Sequence, residues 1–449
     1  NLLSMKINQI KQKIYKSLKL ILSNESWLAF TLIGITFIFR LTIALLTFSE
    51  NQIDSWADSK EYLWFGEQFA LGNFNPHWDV EDHGLVVGPF IPILIAFFIK
   101  LFGSPLWPFF IYNCLVTSFL PYVIYLVGKN IYSRKVGLFS AFWSMLYPDF
   151  FRFNVQLLKE PTVYLFLPLA VLLVILSIKN KNKIIYIVGS STSLSILMHA
   201  DPRYLFFTPL ILLPYLFIEW PLIDRFKKIS AWIAICLLLS TPMLIRNYNF
   251  YGEIIFVSPQ TIAITNKLWK SNVEPYNKSF LEQKLQIGIN NFDGDEFKTA
   301  EDKYYEQRLE NALRESSGKG RTPYKYGDYE KYLMAFKHYW QPTFFSPNYL
   351  YQGFRYQKWS IRHNFSSLIF YGIFLPFYFI GIYLTIRKKD LFAIYIAIIP
   401  LFHSIMHTYA LIPLERYRSH INFCIIIIAI WTMSYILKNY KLIDKIKIK

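Results

Sequence analysis

Charged residues that could act on an anionic substrate stand at the ends of long apolar segments. An acidic group follows the first such segment and contains Asp54, Asp58 and Glu61. Charges beside a membrane's apolar interior are costly and indicate function. A carboxylate can serve as a general base, and forked guanidinium groups suit phosphate. Together they predict a reaction on a lipid-linked anion. The arginines in such positions are Arg203, Arg246, Arg416 and Arg418.

Asp58 has two interpretations. The stretch from Asp58 to Tyr62 is predicted to open an amphipathic helix that ends at Gly72. Asp58 would then be the N-cap, with Glu61 completing a capping box. A capping carboxylate can keep one oxygen available for chemistry, so both roles stay open. The apolar residues of this helix share one face at helical spacing and are Tyr62, Phe65 and Phe69.

A second charged group brackets a turn near residue 155. Its members either pair with one another or join the acidic group in one site. The arginines near the later segments favour anion binding over anchoring, because the topology below places them opposite the basic loops. The residues of the second group are Asp149, Arg152, Lys159 and Glu160.

The sequence gives little support for a metal site or a disulfide. His403 and His407 are four residues apart, but no third ligand is evident, so packing or hydrogen bonding is favoured. All three cysteines fall within apolar segments, without paired or zinc-type spacing. Arg40, inside the first apolar segment, receives no role from the sequence.

The elements that position these residues are predicted to be membrane helices. The chain has 449 residues, 54% of them hydrophobic, in runs of about 20. At about 1.5 Å per residue, such a helix crosses a hydrocarbon core of about 30 Å and satisfies its own backbone. The net charge of +17 comes largely from lysine clusters between apolar runs. These are topology charges, which excludes nucleic-acid binding as the reason for them.

The positive-inside rule requires an even number of spans between neighbouring basic clusters. Gly88–Phe102 breaks that parity and begins with Gly88-Pro89, so it is predicted to be a re-entrant or interfacial helix. Both termini are then cytoplasmic, in a multi-pass protein of the plasma (inner) membrane. The ten predicted spans are 27–48, 107–128, 136–153, 160–178, 184–199, 203–220, 229–246, 364–386, 391–410 and 420–437.

The expected fold is an all-α membrane bundle of three parts. Residues 1–246 form an N-terminal transmembrane module whose first outer loop is 49–106. Residues 247–363 form a mostly helical extracytoplasmic region, with helices expected at Thr299–Leu313 and Tyr329–Trp340. Residues 364–449 supply the C-terminal transmembrane helices.

The order of motifs resembles that of the GT-C glycosyltransferases, which include the protein O-mannosyltransferases and the lipid A aminoarabinose transferases. An Asp after the first span is followed by Tyr and Gly, then by a Pro-rich short helix ending in Phe-Gly. A Pro, a turn and a Glu open a later span, and Arg-Asn-Tyr and Arg-Tyr-Arg follow. The residues that carry this order are Asp58, Tyr62, Gly72, Gly88-Pro89 to Gly103, Pro148, Glu160, Arg203, Pro242, Arg246-Asn-Tyr248, Gly252 and Arg416-Tyr-Arg418.

The resemblance implies an inverting transfer of sugar from a polyprenyl-phosphate donor to an acceptor on the outer face. Asp58 matches the family's catalytic aspartate, with Asp54 in reserve. Asp149 and Glu160 do not form the adjacent carboxylate pair of metal-dependent members, so no cofactor is expected, although a divalent metal stays open. Arg416 and Arg418, with Arg203 or Arg246, would hold the donor phosphate. Further substrate contacts are assigned to Tyr62, Glu160, Glu415 and Tyr417.

The partners implied are the lipid-linked donor, membrane lipids and an acceptor that is a protein, lipid or polysaccharide. A transporter or flippase of lipid-linked sugars is the main alternative. It would be expected to carry midplane charges and inverted repeats, whereas here most charges stand at span ends and no repeat is evident. A membrane scaffold without chemistry is the third alternative.

Overall fold

A computed structural model describes most of the bundle and little of the long region after residue 258. Within the described residues every regular element is helical, as predicted. The described residues are 24–47, 57–74, 88–181, 183–251, 254–258, 336, 339–340, 368–409 and 415–447.

Twelve helices of ten or more residues form the described architecture. Short helical turns also connect them, at Pro148–Phe150, Pro202–Phe207, Leu368–Gly372, Glu415–Arg418 and Ser419–Ile421. The twelve are α1 Glu25–Thr47, α2 Ala57–Ala70, α3 Phe90–Phe102, α4 Leu106–Ile131, α5 Arg134–Leu146, α6 Glu160–Lys179, α7 Ile185–Ala200, α8 Thr208–Phe217, α9 Leu222–Tyr251, α10 Phe374–Lys388, α11 Leu391–Tyr409 and α12 Asn422–Lys447.

Seven of the described helices are long and apolar enough to cross a membrane, which makes this a polytopic membrane protein. They correspond to seven of the ten predicted spans. The helices α7 and α8 are apolar but shorter, and proline punctuates the chain between them. The continuous helix predicted over 136–153 is wrong. α5 ends at Leu146, and Pro148 starts a buried turn whose apolar composition resembles that of a span.

The short helices after α1 follow the sequence prediction. The helix α2 contains Asp58 in its first turn, just inside the helix start rather than at the N-cap. Tyr62, Phe65 and Phe69 are all buried on one face. After the helix, Gly72 has a φ of 87°, a left-handed conformation that suits glycine. The predicted short apolar helix is α3, which ends at Gly103 with a φ of 73°.

Two close approaches hold α2 and α3 against the rest of the bundle. A Cβ at Gly66 would come within 2.3 Å of the Ile95 side chain, so α2 lies directly on α3. A Cβ at Gly88 would come within 2.2 Å of the His199 carbonyl oxygen, so the start of α3 lies against the end of α7. Glycine at both positions therefore allows the α2–α3 pair to reach the residues that follow α7.

The described basic clusters between residues 129 and 228 gather at one end of the bundle, here named the lysine end. Glu25 pairs there with Lys129, and Lys181 lies 2.6 Å from Asp224. Lys228 donates to the Lys181 carbonyl at 2.7 Å. The predicted topology requires these clusters to share a side.

Two predictions for the long region lie outside the described residues. The helix at Thr299–Leu313 is one, and most of the helix at Tyr329–Trp340 is the other. The described residues Tyr339 and Trp340 are helical and buried among the bundle helices. The three-part division of the chain stays a prediction.

Candidate functional site

A buried ion-pair group lies between α7 and α8, and it is the centre of the candidate site. Asp201 ends α7 and accepts from Arg203 through both carboxylate oxygens, at 2.7 Å from Nε and also from Nη2. The Lys159 ammonium lies 3.4 Å from the same carboxylate. All three side chains are buried. Two cations against one carboxylate leave one positive charge on this group.

The electrostatics of Asp201 follow from these two neighbours. Burial alone would raise the pKa of Asp201, because desolvation disfavours the charged carboxylate. The charges of Arg203 and Lys159 outweigh burial and hold the pKa below its ordinary value. The carboxylate is therefore ionised at neutral pH and is engaged by its own cations.

Tyr417 connects this group to the start of the last helix. The Arg203 guanidinium carbon lies 3.6 Å from the centroid of the Tyr417 ring, a cation–π contact. This one contact joins two residues that are 214 positions apart in sequence. The predicted Arg-Tyr-Arg motif thus reaches the Asp-Pro-Arg motif.

Tyr62 brings α2 to the same place. Its ring is 1% exposed. Burial raises the pKa of the Tyr62 phenol, and the negative charges of Asp58, Glu160 and Asp201 raise it further. Glu160 and Asp201 belong to other segments, and the packing of the α2–α3 pair against the end of α7 directs α2 toward them. Asp58 lies one helical turn before Tyr62 on α2.

Arg418 is buried beside the ion-pair group and contacts the long region. Its Nη1 donates to the Tyr339 carbonyl at 3.0 Å. Its guanidinium carbon lies 3.8 Å from the centroid of the Tyr371 ring. The side chain is 1% exposed. The Arg418 guanidinium thus lies between Tyr371, in the turn before α10, and the segment that contains Tyr339.

Histidines from α11 and from the turn before α12 form a layer next to these cations. His403 and His407 stack at 4.2 Å between ring centroids. Nδ1 of His403 hydrogen-bonds the Tyr339 hydroxyl at 2.5 Å, and Nδ1 of His420 hydrogen-bonds the Tyr204 hydroxyl at 2.9 Å. The prediction of packing and hydrogen bonding for the first two histidines is confirmed. Among the described residues, no three His, Cys, Asp or Glu side chains are arranged to hold a metal ion.

The second charged group divides between two partners. Arg152 lies 3.4 Å from Asp149, so this pair forms within the group. Lys159 instead pairs with Asp201, the residue that follows α7. Glu160 is fully buried in the first turn of α6. Pairing within the group therefore holds for Arg152 and Asp149, while Lys159 pairs outside it.

Six of the ten predicted site residues lie on the segments that meet at the ion-pair group. Arg246 lies at the end of α9, where Nε donates to the Phe74 carbonyl at 3.2 Å and Nη1 to Asn247 at 2.9 Å. Asp54 lies outside the described residues, as do the side chains of Glu415 and Arg416. The six are Asp58, Tyr62, Glu160, Arg203, Tyr417 and Arg418.

The sequence did not assign Lys159, Asp201 or His420 to the site, although the first two stand out as charges at span ends. Asp201 determines what Arg203 can do. Asp201 occupies the Nε–Nη2 edge of the Arg203 guanidinium, which leaves only its Nη1–Nη2 edge for a phosphate. The spacing Asp-Pro-Arg carried this signal, because an N-cap aspartate two residues before an arginine can reach it.

Comparison with known proteins supports the resemblance seen in the motifs. Residues 82–245 match the family model of the dolichyl-phosphate-mannose-protein mannosyltransferases. A comparison with curated proteins finds no match.

The fold is similar to that of an archaeal oligosaccharyltransferase, AglB from Archaeoglobus fulgidus. Its complex with an inhibitory peptide and a dolichol-phosphate has a TM-score of 0.56 and 13% identity, covering 94% of this chain and 52% of that one. Its apo form has a TM-score of 0.57 and 13% identity, covering 93% and 52%. This chain therefore spans about half the length of the structures it matches. Both comparisons lead to GT-C proteins, which confirms the predicted resemblance and the GT-C-like fold.

Proposed function

We propose that the protein is an inverting glycosyltransferase that uses a polyprenyl-phosphate-linked sugar as donor. The observation that carries the proposal is the contact of Tyr417 with the buried Lys159–Asp201–Arg203 group, next to which the α2–α3 pair that contains Asp58 packs against the end of α7. The family match over 82–245 and the AglB-like fold support a lipid-phosphate donor.

In the proposed reaction Asp58 is the general base. Its carboxylate accepts the acceptor's proton while the acceptor oxygen forms a bond to the anomeric carbon. The bond from that carbon to the phosphate oxygen breaks on the opposite side, which inverts the configuration. The electron pair leaves with polyprenyl phosphate. Preorganised cations that stabilise this developing charge give a large share of catalysis in such sites.

Two sources of positive charge support the leaving phosphate. The Lys159–Asp201–Arg203 group has one positive charge in excess, and Arg418 adds a second buried cation. Lys159 is a second ligand within the group, because Asp201 occupies one edge of the Arg203 guanidinium and the ammonium adds three donors of its own. This assigns to Lys159 part of the role expected of Arg203, and Arg416 remains a further proposed ligand.

The proposal is tested with the purified protein and a polyprenyl-phosphate sugar in detergent. The native protein should release free polyprenyl phosphate when an acceptor is supplied. Asp58→Asn should lower turnover by about 10²-fold or more, because it removes the general base. The matched control is Glu67→Gln, an exposed carboxylate on the same helix, which should keep native turnover.

Two outcomes would contradict the proposal. Full activity in Asp58→Asn would remove this residue from the chemistry. Movement of intact lipid-linked sugar across a vesicle membrane without release of polyprenyl phosphate would favour the flippase.

A further inference from the structure

Arg40 is a buried cation that the proposed chemistry does not use. It lies in α1, is 0% exposed, and takes part in none of the ion pairs found among the described residues. Its Nη1 donates to the Thr117 carbonyl on α4, while Nε and Nη2 have no hydrogen-bond partner among those described residues. A charge inside a membrane helix is costly and calls for a specific reason.

Pro121 in α4 supplies that reason. In an α-helix the carbonyl of Thr117 would accept from the amide of residue 121. Residue 121 is a proline inside the helix and has no N–H, so the carbonyl loses its helical donor. Arg40 donates to that same carbonyl. The guanidinium therefore replaces the hydrogen bond that the proline removes.

The turn of α4 before the proline holds the chain segment that contains the charged turn residues. Asn113 donates from Nδ2 to the carbonyls of Asn154 at 3.2 Å and Gln156 at 3.0 Å. The Asn154 amide lies 3.3 Å from the Thr117 hydroxyl. The segment fixed in this way, Tyr147–Lys159, is named here the buried turn, and most of its side chains are buried.

The buried turn leads directly into the candidate site. It ends at Lys159, which pairs with Asp201, and Glu160 follows at the start of α6. A displacement of the turn would therefore move the ammonium and the carboxylate together. Phe39 also packs against Phe151 at 5.6 Å between ring centroids, so α1 contacts the turn beside Arg40.

We propose that Arg40 is a positioning residue, which takes the Thr117 carbonyl freed by Pro121 and thereby fixes the buried turn that presents Lys159 and Glu160. It touches no reacting group and acts through α4.

The first test measures hydrogen–deuterium exchange of the buried turn in the full-length protein. Arg40→Met should raise exchange of peptides from 147–159 by about tenfold, because a hydrogen bond from a charged donor is lost. Arg40→Lys keeps a charged donor and should restore part of the protection. Thr42→Val is the control, since its hydroxyl bonds only within α1 and the residue is exposed.

The second test removes the proline. In a Pro121→Ala background the Thr117 carbonyl regains a helical donor, so Arg40→Met should then change exchange much less than in the native background. Pro400→Ala, in the interior of α11, is the matched control and should leave the effect of Arg40→Met unchanged. Equal effects of Arg40→Met in the native and Pro121→Ala backgrounds would overturn the pairing of cation and proline.

The third test rests on the proposed function and uses glycosyl transfer. Arg40→Met should lower kcat by about 10²-fold through misplacement of the site groups, with KM for the donor changed less than about threefold. Native exchange in Arg40→Met would overturn the positioning role, whatever the activity. Increased exchange in Arg40→Met, together with no transfer activity in the native protein, would support the positioning role and refute only the proposed function. If Arg40→Met does not fold, Arg40→Lys carries the same comparison.

Discussion

Breaking the Asp201–Arg203 pair from one side should cost more stability than removing both partners. Asp201→Asn leaves Arg203 and Lys159 buried without their counter-ion. Loss of one partner from a buried pair costs about 3–5 kcal/mol, because the remaining charge is desolvated and uncompensated. The bidentate geometry and the burial of all three residues favour the upper part of that range.

The double variant separates this mechanism from a simple loss of contacts. In Asp201→Asn with Arg203→Met, one of the two buried cations that lacked a counter-ion is gone, and the polar amide can still accept from Lys159. The double variant should therefore be more stable than Asp201→Asn alone. The interaction energy between the two changes should be about 1–3 kcal/mol.

The assay is thermal unfolding in detergent, followed by the fluorescence of the 12 tryptophans. The order of unfolding temperatures should be native, then the double variant, then Asp201→Asn. The control is Asp224→Asn, which breaks the half-exposed pair with Lys181 at the lysine end and should change the unfolding temperature little. Additive effects of Asp201→Asn and Arg203→Met would refute the reasoning, because they would show that neither side chain feels the other.

Two other predictions concern the same end of the bundle. Gly88→Ala should destabilise the protein by about 1–3 kcal/mol, since a Cβ there would overlap the His199 carbonyl, whereas Gly34→Ala, with open space around it, should not; both are read from unfolding temperatures. The pair at Asp201 should also set a limit at acid pH. Its pKa is lowered on folding, so its stabilisation is complete above the unfolded pKa of about 4 and declines as pH falls below it. Unfolding temperatures between pH 3 and pH 6 measure this, and the decline should be smaller in Asp201→Asn.

Most of the fold could be predicted, because a membrane span is recognised from the length and the apolar composition of its segment. The seven long helices and the short helix α3 follow from apolar runs and their proline and glycine boundaries. The error at 136–153 has a physical cause. A turn packed inside a bundle needs the same apolar side chains as a helix in lipid, so its sequence does not distinguish the two.

The site was predictable as a set of charges and not as a set of pairs. Position after the first span selected Asp58, and spacing on one helix face selected Tyr62. The partners of Asp201 depend on the third dimension, since Lys159 is 42 positions away in sequence and meets it only through the packing of α6 on α7. The bidentate contact of Asp201 with Arg203 changed the role that was expected of the Arg203 guanidinium.

Tyr339 and Trp340, two of the described residues of the long region, have a consequence for how this architecture can be altered. The Tyr339 hydroxyl bonds His403, its carbonyl accepts from Arg418, and the Trp340 ring stacks on Tyr378 at 5.8 Å. The interior of the bundle is thus completed by side chains that the region between α9 and α10 supplies. A chimera that takes this region from a relative would also replace part of the core. Such a chimera should fold only when these two aromatic residues are transferred together with the residues that they contact in α10 and α11.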